Sequence, residues 1–124
     1  MRALLEAPCL RTAEVVEAMS KDANQDITKM AVDGGMTVND LLMQTQSDLI
    51  NAEISRKQEK EITSCGAAIA AGLKVGYWSS LDQIEELIQL DKVFSPEMSE
   101  EARNKKRARF AQAVERSIGF GWEK

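Results

Sequence analysis

Apolar and polar positions follow two rhythms along this chain, and the changes of rhythm mark its elements. Over residues 1–19, Leu5, Cys9, Thr12, Val16 and Met19 step by three or four, the spacing of a helix that buries one face. Pro8 interrupts that helix. Proline lacks a backbone donor and collides with the carbonyl four residues back, at a cost of about 3 kcal/mol, so the helix either kinks or properly begins with Pro8 in its first turn. Residues 20–26 are polar and read as a loop, and the short run 27–32 reads as a strand that ends on Gly34-Gly35. Helical spacing resumes over 37–50, with Val38, Leu41, Leu42 and Leu49 predicted on the buried face. Residues 51–55 give a second strand. A strand-helix-strand unit of this kind pairs its strands in parallel through a right-handed crossover.

The second half is mostly helical in pattern. The charged run 56–61 reads as a solvated turn. Residues 63–75 form a helix in which Gly66, Ala67, Ala70 and Ala71 lie close together; small side chains let a helix approach a sheet or another helix, so packing is the first reading and direct ligand contact the second. Tyr77 and Trp78 follow, placed to seal core from solvent or to stack on a base. Ser80-Leu81-Asp82-Gln83 has the form of a capping box, opening a helix with Leu81, Ile84, Leu87 and Ile88 on one face. The last helix starts at Ser95-Pro96 or at Ser99-Glu100-Glu101 and runs to about Ile118, with Arg103, Lys105, Lys106, Arg107 and Arg109 as a solvated basic face paired with nearby acids. Trp122 folds back as an anchor. The predicted fold is α/β and helix-dominant, a single partial domain over residues 1–124 with about two parallel strands and four to five helices. Two strands leave open sheet edges and little cover for the helices, which makes marginal stability the expectation.

Composition narrows the chemistry. At 124 residues the chain suffices for one core; 44% hydrophobic and 29% charged residues describe a soluble globular protein, and no apolar run approaches the roughly 20 residues of a membrane span. The first residues carry an early acid and no sustained apolar segment, unlike a secretory signal, so a cytoplasmic location is expected. Two cysteines, Cys9 and Cys65, without any histidine, argue against the common metal and Cys/His catalytic constellations. Both read as reduced, buried thiols on helices. A net charge of −4 argues against nucleic acid as a partner, but not against a nucleotide, whose charge is met locally.

The candidate site is the glycine turn. Two glycines at a strand-to-helix junction allow a positive φ and let a ligand approach the backbone without meeting a Cβ. The helix that follows offers amides at a positive end, suited to a phosphate or a polar ring. Asn39 adds a side chain that both donates and accepts, as reading a purine edge or a ribose requires.

The stretch 32–50, opening Val32-Asp33-Gly34-Gly35-Met36-Thr37-Val38-Asn39-Asp40-Leu41-Leu42, resembles the adenosine-contacting segment of glycerol kinases, in the FGGY carbohydrate kinase family. A second block, 61–78, containing Cys65-Gly66-Ala67-Ala68-Ile69-Ala70-Ala71-Gly72-Leu73, is similar to the small-residue helix that follows in those enzymes. The order and spacing hold from about Met1 to Trp122. Around Pro8, Leu10-Arg11 and Ala13 the chain departs from the family pattern, and the proline usual after Arg56 is missing.

This resemblance implies the latter half of the second lobe of a ribonuclease-H-like, actin- and sugar-kinase-type ATPase domain. It implies Gly35 and Asn39 as nucleotide-binding residues, with Gly34 mainly allowing the turn, and ATP or ADP as ligand, bound weakly or not at all by the chain alone. The family's phosphate loops, catalytic aspartate, magnesium site and glycerol-binding residues would lie upstream of Met1, so no catalytic residue and no magnesium ligand is assigned. Asp33 and Asp40 are the nearest acids to the turn and have ordinary structural roles at a strand end and a first helical turn. The expected function is that of a C-terminal fragment or truncated isoform of a glycerol kinase, inactive alone, or of an incomplete reading frame whose start lies upstream. The alternative is a non-enzymatic helical module that docks on another protein, such as the full-length kinase or another subunit.

Overall fold

The computed structural model describes residues 2–57, 62–85 and 90–119. Five helices and three strands follow in the order α1 (Arg2–Ala23), β1 (Lys29–Val32), α2 (Asp40–Ile50), β2 (Glu53–Lys57), α3 (Ile62–Lys74), α4 (Asp82–Glu85), β3 (Leu90–Phe94) and α5 (Glu100–Ser117), with a 3-10 turn over Gly35–Val38 before α2. The helix-dominant α/β architecture and the parallel β1–β2 pair are as predicted; the sheet has a third strand. β2 is central, parallel to β1 with Met30 opposite Ile54, and antiparallel to β3 with Ile54 opposite Phe94. The pattern hides β3 because only Phe94 of its five residues is buried.

Helix α1 runs through Pro8 and past the expected loop boundary. Thr12 Oγ1 donates to the Pro8 carbonyl at 3.0 Å, and a Lys21–Glu17 pair at 2.7 Å supports the last turns before Asn24 ends the helix with φ 49°. Its buried face is Cys9, Leu10, Ala13 and Val16, so the stripe is turned from the predicted one and Met19 is exposed.

Cys9, Leu10 and Ala13 pack with Leu42, Met43, Leu49, Ile54 and Phe94 into the core, flanked by Leu5, Met30, Val32, Ile50 and Phe110. Leu49 and Ile54 are fully excluded from solvent. Burying such a side chain contributes about 2 kcal/mol relative to leaving it exposed. Within this apolar layer the Ser47 hydroxyl lies 2.8 Å from the Ala52 carbonyl and 3.1 Å from that of Phe94, and Gln46 Nε2 donates to the Cys9 carbonyl at 3.3 Å, so buried polar atoms keep partners.

Helix α3 departs most from expectation. None of its described side chains is buried, and Gly66, Ala67, Ala70 and Ala71 face solvent rather than a packed neighbour. It ends in a Schellman turn in which the amides of Gly76 and Tyr77 donate to the Leu73 and Gly72 carbonyls, with Gly76 at φ 77°. Trp78 folds back so closely on Gly72 that a Cβ there would lie 2.3 Å from the ring, while Tyr77 is exposed and seals nothing. At the start of α4, Gln83 accepts from the Ser79 amide, one residue earlier than the predicted box. Leu87, Ile88 and Trp122 lie outside the described residues. Helix α5 begins at Ser99, whose Oγ accepts from the Ala102 amide, deciding between its two possible starts. Among the described residues no helix is long and apolar enough to cross a membrane.

Candidate functional site

The glycine turn is built as two short steps rather than one helix. Gly34 adopts φ 97°, which favours glycine, and its carbonyl accepts from both the amide and the hydroxyl of Thr37, at 3.1 and 2.7 Å. That closes the 3-10 turn. Asn39 then leaves helical geometry at φ −86°, ψ 103°, and its Oδ1 accepts from the Leu42 amide at 3.1 Å, making it the N-cap of α2 instead of a first-turn residue. The break re-phases the chain. Leu42 and Leu49 are buried as predicted, but Val38 and Leu41 are exposed, and Met43, Gln46 and Ser47 take the buried positions.

The turn itself remains accessible. A Cβ at Gly35 would meet nothing within 4 Å, so the backbone there can be approached closely. Met36, Val38 and Leu41 present apolar surface around it. Asn39 keeps its amide NH2 as a donor after its oxygen has been used as the cap. Gly35 and Asn39 therefore stand at the two ends of one exposed 3-10 turn.

The charge at the end of α2 is already neutralised. Asp40 accepts from Lys92 at 2.6 Å and from Arg56 at 2.9 Å, and these hydrogen bonds, Lys92 first, hold its carboxyl below the usual carboxylate range. Arg56 also donates to the Thr37 carbonyl and to Asp91, each at 2.6 Å. Its partial burial disfavours the charge, yet the hydrogen bonds to Asp40 and Asp91 outweigh that and keep it firmly protonated. Arg56 thus belongs to a strand and a network, not to a solvated turn. Each oxygen of Asp40 accepts from a cation, and among the described residues no group of three or more His, Cys, Asp or Glu could hold a metal.

Arg103 was hidden in the basic run and is buried. It donates to the carbonyls of Asp48 and Met98 and to Asn51 Oδ1, closing the far end of α2. Lys106 pairs with Glu6 and Arg107 with Glu17, as expected of a paired basic face.

A family model for the C-terminal domain of the FGGY family of carbohydrate kinases matches residues 1–75. The chain belongs to the FGGY family. It is similar to the C-terminal part of glycerol kinases: it is 46% identical over 122 residues to the glycerol kinase of Corynebacterium kroppenstedtii, covering 98% of this chain and 23% of that protein. The structure of Plasmodium falciparum glycerol kinase with ADP superposes with a TM-score of 0.86 at 40% identity, over 94% of this chain and 24% of that one. Xylulose kinase from Lactobacillus acidophilus, at 21% identity and a TM-score of 0.75, shares the fold, which is that of the sugar kinases. The chain spans about a quarter of the length of these FGGY relatives.

Proposed function

We propose that this chain supplies the adenosine-contacting turn of a glycerol kinase. The complete protein would transfer the γ-phosphate of ATP to glycerol, Gly35 admitting the nucleoside to the backbone and Asn39 donating its amide to it. Phosphoryl transfer depends on positioning and on neutralising charge at the γ-phosphate, and among the described residues the cations nearest this turn, Arg56 and Lys92, are already engaged by Asp40 and Asp91. The chain alone is therefore inactive and holds nucleotide weakly, through its nucleoside moiety. The observation that carries this reading is the open, apolar-rimmed approach to Gly35 beside the donor of Asn39.

The exposed small-residue face of α3 supports the same division of labour, being the surface the rest of a kinase domain would cover. A non-enzymatic docking module would use that face too. The two readings part on nucleotide, since a docking module requires no contact at Gly35 or Asn39.

The test is a chimera in which this chain replaces the matching part of the Corynebacterium kroppenstedtii enzyme. The chimera should phosphorylate glycerol, and Gly35→Val within it should raise KM for ATP about tenfold, the equivalent of 1.4 kcal/mol of lost binding, with KM for glycerol unchanged. The chain by itself should form no glycerol 3-phosphate. A Gly35→Val chimera with an unaltered KM for ATP, or turnover by the chain alone, contradicts the proposal.

A further inference from the structure

Strand register places Arg56 directly opposite Lys92. Two like charges facing each other across a sheet repel, so the arrangement needs an anion between them. Asp40, the first residue of α2, is that anion, with one oxygen on each cation. The pairing then skips a residue: Arg56 faces Lys92 but Lys57 faces Leu90, which leaves Asp91 as the extra residue of a bulge. Bulges re-aim side chains, and this one directs Asp91 Oδ2 to Arg56 Nε at 2.6 Å. The guanidinium lies over the Phe94 ring at 5.5 Å, and its side chain is 12% exposed. Held on those sides, it sends its remaining reach to the Thr37 carbonyl, in the middle of the glycine turn.

We propose that Arg56 is a positioning residue for the turn, fixing Thr37 and Asp40 together so that Gly35 and Asn39 are presented in one conformation. Only a planar fork can serve Asp91, Asp40 and a backbone carbonyl at once; a lysine ammonium reaches one or two of them. The four side chains of Arg56, Lys92, Asp40 and Asp91 sum to zero charge, so the turn recognises the uncharged nucleoside and leaves phosphate to other residues. This inference rests on the adenosine reading for its purpose, but its structural content can be measured without nucleotide.

The experiment follows amide hydrogen exchange by NMR in the whole chain, comparing parent, Arg56→Lys and Lys92→Met. Arg56→Lys should speed exchange at the Thr37 and Asn39 amides about tenfold while the amides of Leu49 and Ile50 keep the parent rate. Lys92→Met, which touches Asp40 but not Thr37, should change them less than threefold. Uniform acceleration, or none at Thr37 and Asn39, overturns the positioning role. A second arm titrates adenosine and ADP into the same samples. If the parent binds them, Arg56→Lys should weaken both at least fivefold and by the same factor; equal affinity in parent and variant overturns the proposal. If the parent shifts with neither, the adenosine reading falls, and the exchange pattern still decides whether Arg56 orders the turn.

Discussion

Arg103 Nε donates to the Asp48 carbonyl at 2.7 Å, so a residue of the last helix closes the C-terminus of the helix that begins at the glycine turn. The contact is favourable twice over. A cation there meets the negative end of the helix dipole and satisfies carbonyls that the helix cannot bond itself. Asp48 in turn accepts from the amides of Glu97 and Met98, at 2.7 and 3.2 Å, tying the approach to α5 onto α2.

Removing that guanidinium strands several acceptors in a buried place. Arg103→Met should cost about 2–3 kcal/mol in urea unfolding, the usual worth of hydrogen bonds to a charged group, and Arg103→Lys should recover less than half of it. A change below about 0.5 kcal/mol for Arg103→Met would mean that α2 needs no such closure.

Acid should destabilise the chain below the ordinary carboxylate range. The carboxyls of Glu6, Glu17 and Asp40 are all held down in the folded state, Glu6 and Asp40 chiefly by hydrogen bonds to Lys106 and Lys92, Glu17 chiefly by its bond to Lys21. With folded values below unfolded ones, the stabilisation is complete above the ordinary 4.5 of glutamate and 3.8 of aspartate, and it is lost as pH falls through the lowered folded values. Thermal midpoints measured from pH 7 to pH 2.5 should fall mainly below about pH 4.5, and less steeply in Glu6→Gln.

The two thiols should react at different rates. Burial, with the Glu6 charge adding to it, pushes the Cys9 thiol up to about 11, and its side chain is enclosed, whereas Cys65 is half-buried on α3. A disulfide reagent at pH 8 should titrate one thiol quickly and the other only on unfolding, and Cys65→Ser should abolish the fast phase.

How much of this could be read from the sequence depended on how local each cause is. The strand, the glycine turn and the buried Leu42 and Leu49 follow from short-range pattern, and they appear where the pattern puts them. The exposure of Val38 and Leu41 does not follow, because a single capping bond at Asn39 shifts the helical phase. Arg56 and Arg103 lie in charge runs that look solvated. Their partners are 35 and 55 residues away, Asp91 and Asp48, and only the assembled sheet and helices bring them close. Strand β3 was illegible for a related reason: as an edge strand carrying Asp91 and Lys92 it lacks the apolar alternation that marks a strand. Helix α3 carries a packing signal in Gly66, Ala67, Ala70 and Ala71, and that signal read wrongly as buried, since all four are exposed.

The account turns on Gly35 and Asn39 touching a nucleoside, and an ADP titration followed at the backbone amides tests it most directly. Gly35 has open space and no positive φ, so Gly35→Val should leave the fold intact; Asn39→Asp keeps the helix cap but loses the amide donor. The parent chain should show shifts centred on residues 35–39 with a dissociation constant of roughly 1 mM, and both variants should weaken it severalfold. Shifts centred elsewhere, such as the cleft lined by Glu17, Asp26 and Arg107, or unchanged binding by both variants, would contradict it.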